Sequence, residues 1–518
     1  MQRKKRYPVG VQDFGKIREG NYYYVDKTDI IYDLVHEYDY VFMSRPRRFG
    51  KSLLVSTLAC YFEGKRELFQ GLAMEQLEEE WKVYPVVHLS FASVKEVEIE
   101  KIRSVVDFII AQQEKKFALS CTSTDFASRM TSLIKGCYEK YGEKVVVLVD
   151  EYDSPLLNVL NDKVTLDQVR QLMRSVFAPL KDCGYMLQFL FITGITKFSQ
   201  LSVFSELNNL RNISMKPQFA TLCGITQDEM ERDFGLGIQV LQDAQGMTRD
   251  EVLEKLKFMY DGYHFSRGTE GVYNPFSLMN ALEDQDFKQY WFSTGTPSFL
   301  VGAMKRFNTD VTRIDGEWAM STQFDAPTED MQSVLPLFYQ SGYLTIKDFD
   351  KESERYLLGY PNNEVRLGMN YAFLPYYVSP DTDTALDYAW KISKPLRDGD
   401  VEKALYALQA YLKKVPYQEY ANSEGHYTSM LYVIFTMLGI YVESQVRTSD
   451  GRIDVVLKTK RYVYVIELKM DRDAQEALAQ IDSKDYALTY SLDGREVVKV
   501  GLSFSTYSRT LSDWVIKM

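Results

Sequence analysis

The sequence predicts an α/β protein that is built from two different parts. Two aliphatic runs, Tyr40–Met43 and Val145–Val149, are typical of strands buried on both faces of a parallel sheet. Amphipathic helical patterns, such as Leu53–Phe62 and Ile102–Ile110, accompany these runs. From about residue 401 the pattern changes to long helices followed by short alternating strands. We therefore predict an N-terminal parallel-sheet core and a separate C-terminal α/β domain.

Length and composition favour a soluble protein of several domains. A chain of 518 residues is too long for one ordinary core, and its 45% hydrophobic and 26% charged residues are those of a globular protein. No apolar run has the length of a membrane span, and no apolar segment follows the basic N-terminus as in a secretory signal. The five scattered cysteines favour reduced thiols and a cytoplasmic location.

The charge of the chain restricts its contacts with nucleic acid. A net charge of −11 does not attract nucleic acid by the overall field, so any such binding would need local basic patches. Arg3–Arg6 and Arg45–Lys51 are two such patches. The four well-separated histidines speak against a histidine-based metal site or triad.

The stretch Ser44–Ser52 carries the first candidate site. It follows a strand, and its Gly-Lys-Ser opens a helix, which is the context of a phosphate-binding P-loop. The helix N-terminus offers unpaired N–H groups to phosphate, Lys51 would reach the β- and γ-phosphates, and Ser52 would ligate Mg²⁺. Arg45 stands where the usual pattern has glycine. The predicted nucleotide-binding residues here are Arg47, Arg48, Phe49, Gly50, Lys51, Ser52 and Leu53.

Acidic and polar residues end the next two predicted core strands. Asp150 and Glu151 follow the aliphatic run, where ligands bind in open α/β sheets. Asp150 would help to hold Mg²⁺, and Glu151 would orient and deprotonate the attacking water. Thr193, at the end of the strand Met186–Thr193, is a candidate sensor of the γ-phosphate. The alternatives are a solvated acidic pair and a threonine that only ends a strand.

Several motifs together carry a family resemblance. They read YYYVDKTDII, RPRRFGKSLL, VVVLVDEYDSPL, FITGITKFSQLSVFSELNNLRNIS, FMYDGYHF and VYNPFSLMNAL. This set resembles the AAA-ATPase-like family, whose P-loop also reads RPRRFGKS without the leading glycine. The resemblance implies an AAA-like P-loop NTPase core of the additional-strand type over residues 1–225, with ATP as its nucleotide. Arg211-Asn212 departs from the family pattern, which has an acid near this point.

The middle of the chain is less informative. Residues 226–295 read as a helical lid over the nucleotide, with a capping box at Thr226 and Glu229 and an amphipathic helix over Asp250–Tyr260. Residues 296–400 hold short mixed strands and are predicted to form a connecting region.

Residues 401–518 carry the second candidate site. Their order of helix, three strands, helix and strand, αβββαβ, is that of the PD-(D/E)XK nuclease core. Glu467 and Lys469 lie two apart on one strand and therefore project from the same face. Asp454, on the preceding strand, could meet Glu467 to form a carboxylate pair for Mg²⁺ or Mn²⁺. Alone, such a Glu-x-Lys pair is more often an ordinary ion pair on a solvated face.

Two further residues complete this prediction. Glu424, at the start of the preceding helix, could join the metal shell, and Gln480, on the following helix, could contact the site or the DNA backbone. Residues 415–505 resemble the PD-(D/E)XK nuclease superfamily domain that commonly follows an AAA-ATPase-like domain. The resemblance implies that Lys469 positions or deprotonates the attacking water.

Three hypotheses for function remain open at this point. The first is an ATPase that controls a metal-dependent DNA nuclease, in defence or in nucleic-acid processing. The second is a nucleotide-switched signalling or scaffold ATPase whose nuclease-like domain binds without cleaving. In the third, Arg45 crowds the loop and no nucleotide binds. The expected partners are a nucleoside triphosphate and DNA, without a membrane; homo-oligomerisation is left open.

Overall fold

The chain divides into two compact units. The computed structural model describes residues 5–197, 207, 209–293, 298–307, 309–311, 314–328, 331–377, 382–413, 424–437, 441–448, 451–508 and 510–518. The first unit comprises Met1–Thr294 and Gly316–Glu364, and the second comprises Gly295–Asp315 and Val365–Met518. Residues 296–400 therefore contribute to both units. None of the helices in these described ranges combines the length and apolar character that a membrane crossing requires.

A five-stranded parallel sheet forms the centre of the first unit. Its strands are β1 (Tyr40–Ser44), β2 (Val86–Ser90), β3 (Val145–Asp150), β4 (Leu187–Gly194) and β5 (Arg211–Asn212). They lie in the order β2-β3-β4-β1-β5, and every neighbouring pair is parallel. Strand β4 lies between β1, which leads into the Gly-Lys-Ser loop, and β3, which ends in the acids. This insertion confirms the predicted additional-strand core.

Helices pack against the strands of this sheet. Strand β3 is buried along its whole length, as its unbroken aliphatic run predicts. The helix Lys163–Phe177, for example, contributes Val169 and Met173 to the core. The helices are α1 (Phe14–Glu19), α2 (Thr28–Glu37), α3 (Lys51–Phe62), α4 (Ala73–Leu77), α5 (Ile99–Lys116), α6 (Phe126–Tyr141), α7 (Ser154–Leu157), α8 (Lys163–Phe177) and α9 (Pro179–Asp182).

A helical segment with its own apolar core follows the sheet. Its helices are α10 (Gln227–Asp233), α11 (Gly235–Gln245), α12 (Arg249–Tyr260), α13 (Pro275–Asp284) and α14 (Tyr290–Ser293). Thr226 and Glu229 form the capping box that the sequence predicts at the start of α10. The Lys27 amine lies 2.5 Å from the Glu229 carboxylate, so an ion pair joins the segment before α2 to this helix.

Residues 316–364 add a small antiparallel sheet to the first unit. Its strands β6 (Glu317–Ala319), β7 (Thr345–Asp350) and β8 (Arg355–Gly359) lie in the order β6-β8-β7. Helices α16 (Ser321–Phe324) and α17 (Leu335–Gln340) lie between β6 and β7. Gln340 and Asp325 accept hydrogen bonds from Lys197, just after β4. This segment is thereby fixed to the end of a core strand.

A mixed five-stranded sheet forms the second unit. Strands β9 (Tyr441–Thr448), β10 (Gly451–Lys458), β11 (Tyr462–Met470), β12 (Glu496–Ser505) and β13 (Thr510–Lys517) lie in the order β13-β12-β11-β10-β9. Only β11 and β12 pair in parallel. The helices are α15 (Ser298–Phe307), α18 (Asn363–Tyr377, which begins in the first unit), α19 (Thr382–Asp398), α20 (Val401–Leu412), α21 (Glu424–Met437) and α22 (Ala474–Ser483). The predicted αβββαβ order is confirmed, and the sequence prediction missed β13.

Candidate functional site

A cavity of about 620 Å³ lies beside the Gly-Lys-Ser loop at the carboxyl ends of the parallel strands. Every predicted nucleotide-binding residue of the loop lines it except Phe49. The acidic turn after β3 lines it through Glu151 and Asp153, and the helical segment through Pro275, Phe276 and Met279. The loop, the acids and the predicted lid therefore meet at one place.

The loop has the backbone geometry of an anion-binding turn. Gly50 caps α3 with a φ of 91°, and Arg48 also has a positive φ, of 68°. These left-handed residues turn the chain sharply enough to bring the N-terminus of α3 to the cavity. Lys51 is buried, and its amine donates hydrogen bonds of 2.9 Å to the carbonyls of Arg45 and Pro46. Burial lowers the pKa of this amine.

Arg45 anchors the loop instead of lining the cavity. Its guanidinium is only 1% exposed and donates to the carbonyls of Ser44, Ser214 and Phe219 at 2.8–2.9 Å. The same group stacks 4.1 Å from the centre of the Phe265 ring. The side chain that replaces the usual glycine is thus directed into the protein and leaves the cavity open.

Phe49 and Arg47 connect the loop to the segments that follow the sheet. The Phe49 ring is buried at 4.7 Å from Tyr263 and 5.3 Å from Phe265. The Trp291 indole donates to the Arg47 carbonyl at 3.1 Å. Phe49 therefore does not line the 620 Å³ cavity, but it lines a smaller cavity that adjoins it.

Three acids lie at the end of β3: Asp150 and Asp153 are buried, Glu151 is half-buried, and Glu151 and Asp153 line the cavity. Among the described residues, Asp150 Oδ1 is buried without a hydrogen-bond partner. Glu151 has a φ of 50°, and burial raises the pKa of its carboxyl. Burial also raises the pKa of Asp153, which is 1% exposed. Sequence reasoning quoted Asp153 within its motif but did not assign it to the site.

Thr193 lies in β4, beside Met43 of β1, and does not line the cavity. Its hydroxyl is fully buried and donates to the Met43 carbonyl of β1 at 2.7 Å. Ile195, two residues later, does line the cavity. The sequence prediction also missed Lys95 and Asn158, which carry no motif and reach the cavity only because β2 and α7 end beside it.

A smaller apolar cavity of about 90 Å³ adjoins the first one. The two share the lining residues Pro8, Gly50, Leu53, Pro275 and Met279. Side chains of the N-terminal segment, including Tyr23 and Tyr24, complete its wall. A ligand with a charged end and a flat apolar end would find both environments here.

The second site lies on neighbouring strands of the mixed sheet. Val455 of β10 pairs with Ile466 of β11, so Asp454 and Glu467 occupy the next position of the ladder. Both acids are buried, with exposures of 8% and 2%. Asp454 Oδ2 accepts a hydrogen bond of 2.9 Å from the backbone N–H of Leu468.

Side chains hold Glu467 from two directions. Its Oε1 accepts from the Gln480 amide of α22 and lies 3.4 Å from the Lys469 amine. Within the described part of the chain its Oε2 is buried and has no hydrogen-bond partner. Burial raises the pKa of Glu467, and the neighbouring Asp454 carboxylate raises it further. The structure therefore brings together four predicted residues, Asp454, Glu467, Lys469 and Gln480.

The third predicted acid of this site is Glu424. Glu424 is the first residue of α21, and its side chain lies outside the described residues. Across the side chains that the structure does describe, no three His, Cys, Asp or Glu groups gather into a metal-binding cluster. Asp454 and Glu467 form a pair, to which a cation would have to add other oxygen ligands.

Comparisons with known proteins identify both parts of the chain. A family model described as "Predicted AAA-ATPase" matches residues 8–204, and one described as "PD-(D/E)XK nuclease superfamily" matches residues 422–514. The chain is 33% identical over 527 residues to "Uncharacterized protein in vnfD 5'region" from Azotobacter chroococcum mcd 1, with 99% of each sequence covered. No solved structure matches the chain. The chain therefore belongs to the AAA-ATPase-like family and carries a C-terminal domain of the PD-(D/E)XK nuclease superfamily.

Proposed function

We propose that this protein binds and hydrolyses ATP in its first unit and uses the nucleotide to control DNA cleavage by its second unit. The observation that carries the nuclease half is the grouping of two buried carboxylates, Asp454 and Glu467, with Lys469 and Gln480. The cavity beside Lys51 and Glu151 supports the ATPase half. Defence against foreign DNA and nucleic-acid processing both fit this chemistry.

In the first unit, the loop would bind the triphosphate. The N-terminus of α3 and the amine of Lys51 would face the phosphate oxygens, and the base would enter the adjoining apolar cavity. Ser52 and Asp150 would hold Mg²⁺, which the unpartnered buried Asp150 Oδ1 fits. When bound, Mg²⁺ neutralises charge on the phosphates.

Glu151 is the proposed base for hydrolysis. It lines the cavity, and burial raises the pKa of its carboxyl. A base works best when its pKa lies close to the working pH. Glu151 would orient a water toward the γ-phosphate and accept its proton. Arg47 and Arg48, at the same cavity, would add positive charge near the phosphates.

In the second unit, Asp454 and Glu467 would hold Mg²⁺ or Mn²⁺. Carboxylate oxygens are the ligands that these hard cations prefer, and the unpartnered Oε2 of Glu467 fits such a role. When bound, the cation lowers the pKa of water and stabilises phosphate charge. Lys469 would orient the attacking water, and Gln480 would fix the Glu467 carboxylate.

The proposal also includes a cytoplasmic location and the binding partners. All five cysteines are free thiols, as expected in a reducing cytoplasm. DNA is the proposed partner despite the net charge of −11, because the scissile phosphate would be bound locally by Lys469 and a cation. A homo-oligomer, which could supply an arginine to the neighbouring nucleotide site, is also open to test.

Plasmid cleavage with Mg²⁺ or Mn²⁺, with and without ATP, tests this proposal. Wild type should cleave in a nucleotide-dependent way, whereas Asp454→Asn, Glu467→Gln and Lys469→Ala should each lose about 10²–10⁴-fold in rate. Lys460→Ala, an exposed lysine on the same β10–β11 hairpin, is the matched control and should cleave normally. Cleavage that survives all three site substitutions would contradict the proposal.

The same assay also tests the alternative of a nucleotide-switched scaffold. In that case wild type would bind DNA in a mobility-shift experiment without cutting it under any metal condition. Calorimetric titration with Mn²⁺ would then show no binding that depends on Asp454 or Glu467. A scaffold would still show nucleotide-dependent stabilisation that is lost in Lys51→Met.

A further inference from the structure

The acidic turn after β3 adopts a backbone conformation that its residues do not favour. Glu151 has a φ of 50°, in the left-handed region where a residue with a side chain is strained. Such strain persists only where the surroundings impose it. A local hydrogen bond from Ser154 N–H to the Glu151 carbonyl, of 3.0 Å, closes the turn. Contacts from outside the turn must supply the remaining constraint.

The end of β4 supplies that constraint through Asp153. The Asp153 Oδ2 atom accepts three hydrogen bonds, from the backbone N–H groups of Ile195 and Thr196 at 2.9 and 2.6 Å and from the Thr196 hydroxyl at 2.8 Å. Carboxylates that accept several N–H bonds hold them strongly because the acceptor is charged. One buried carboxylate thus joins the acidic turn to the residues that follow Thr193.

Tyr152 makes the same connection from the other side of the turn. Its N–H donates to the Thr193 carbonyl at 3.2 Å, and its hydroxyl donates to the Thr196 carbonyl at 3.0 Å. Gly194 lies between these contacts, and a Cβ added there would come within 2.4 Å of Asp153 Oδ1. Glycine at this position therefore permits the close approach of the two chain segments.

We propose that Asp153 is a positioning residue that holds Glu151 in the orientation needed for ATP hydrolysis. It does so by fixing the acidic turn to the end of β4, with Thr196 and Gly194 as its partners. This inference rests on the proposed ATPase activity. Asp153 is the second aspartate of the DEYD motif, and the proposal gives this residue a role. The same contacts explain why Ile195 and Glu151 line one cavity although they follow different strands.

Steady-state ATP hydrolysis by the full chain tests this role. Asp153→Ala should lower kcat about 10–100-fold, as the loss of a supporting hydrogen-bond partner does at other sites, while KM for ATP changes less than about 3-fold. Asp153→Asn keeps an acceptor oxygen and should recover much of the loss. Asp162→Ala is the matched control, because Asp162 accepts from Val164 and Thr165 in a similar pattern but on the exposed surface.

A double-mutant cycle shows whether Asp153 acts through Glu151. In a Glu151→Gln background, adding Asp153→Ala should cost less than about 3-fold, because residues that act as a unit are not additive. An equal loss in both backgrounds, or a parallel rise in KM, would overturn the inference. If Asp153→Ala does not fold, Thr196→Val removes one of the three donors and is judged by the same cycle.

Different results would overturn the positioning role of Asp153 and the proposed ATPase activity. Wild type that hydrolyses ATP, together with Asp153 and Thr196 variants that match it in kcat, overturns the inference alone. Wild type that binds ATP in a thermal-shift assay but never hydrolyses it overturns the proposed ATPase activity, and the inference with it.

Discussion

The two candidate sites bury their carboxylates by different means. In the first unit, Asp153 accepts two of its three hydrogen bonds from backbone N–H groups at the end of β4. In the second unit, the Glu467 carboxylate is held by the side chains of Lys469 and Gln480. Backbone donors are fixed by the fold, whereas side-chain donors can be removed one at a time. The Asp153 carboxylate should therefore keep two of its donors when the Thr196 hydroxyl is removed, whereas the Glu467 carboxylate should lose support with each side chain that is removed.

The lysines of the two sites have different partners. The Lys51 amine donates to two carbonyl groups of its own loop, and the acids Asp150, Glu151 and Asp153 lie near enough to raise its pKa against the effect of burial. The Lys469 amine lies 3.4 Å from the Glu467 carboxyl. Removing the Lys51 side chain therefore leaves two loop carbonyls without this donor, whereas removing Lys469 takes away one of the two side chains that hold Glu467.

In the first unit, the largest effect is expected at Lys51. Lys51→Met keeps the length of the side chain but removes its charge, so the rate of ATP hydrolysis should fall about 10²–10³-fold. Binding should weaken as well. At an ATP concentration of 100 times the wild-type Kd, wild type should gain about 2.7 kcal/mol of stability, and a variant that binds 100-fold more weakly should gain about 0.4 kcal/mol.

Thermal shift with and without ATP measures this difference. Lys101→Met is the control, because Lys101 is an exposed lysine on α5 that pairs with Glu98 away from the cavity. Equal ATP-dependent stabilisation of Lys51→Met and wild type would show that the loop does not bind phosphate. The contrast between the two lysines would then have no functional meaning.

Arg45 should affect stability more than nucleotide chemistry. Arg45→Ala leaves the carbonyls of Ser44, Ser214 and Phe219 without this donor, and we expect a loss of about 3 kcal/mol in the free energy of unfolding. Arg48→Ala is the control, because Arg48 lines the cavity and stacks on Phe276 instead of anchoring the loop. Denaturant midpoints without nucleotide measure both. A greater loss for Arg48→Ala would contradict the anchoring role.

Features that depend on neighbouring residues could be predicted from the sequence. The aliphatic run before Asp150 predicts a fully buried strand because both faces of a central strand are covered. The spacing of Glu467 and Lys469 predicts a shared face because strand residues alternate. Strand β13 was missed because it lies at the sheet edge, and its charged and half-exposed residues give only a weak alternating pattern.

Long-range contacts could not be predicted from a single sequence. Arg45 reaches carbonyls 169 and 174 residues away, and Trp291 reaches the Arg47 carbonyl across 244 residues. The approach of Thr196 to Asp153 likewise depends on the order of β3 and β4 in the sheet. The first unit assembles its site from such distant segments. Asp454, Glu467 and Gln480, in contrast, all lie within 26 positions of one another, and more of the second site could be predicted for this reason.

Glu364 should give the first unit a pH dependence. This carboxyl is 1% exposed and accepts hydrogen bonds from Ser277 and Trp291. Burial raises its pKa from the ordinary 4.5 to about 7, and the tyrosines that face it, Tyr260 and Tyr263, have raised pKa values and stay neutral. The folded state therefore keeps a proton that the unfolded chain releases, so the contribution of Glu364 to stability falls as the pH rises from about 4.5 to about 7.

The pH dependence can be isolated with Glu364→Gln, which cannot ionise. Relative to wild type, this variant should gain about 2–3 kcal/mol in the free energy of unfolding of the first unit between pH 4.5 and pH 7.5. Glu352→Gln, an exposed residue of the same 316–364 segment, should give no such change. Denaturant midpoints at a series of pH values measure the difference. Parallel curves for wild type and Glu364→Gln would show that the buried carboxyl does not hold its proton.

The smallest effect is expected at Gln480. This residue tests whether individual side chains hold the Glu467 carboxylate. Gln480→Ala removes one of the two side chains that hold Glu467, so DNA cleavage should fall about 10-fold while ATP hydrolysis stays unchanged. Gln475→Ala, on the first turn of the same helix, is the matched control. If Glu467 were instead held by its backbone surroundings, as Asp153 is, Gln480→Ala would cleave like wild type. A loss confined to cleavage would show that this carboxylate depends on individual side chains.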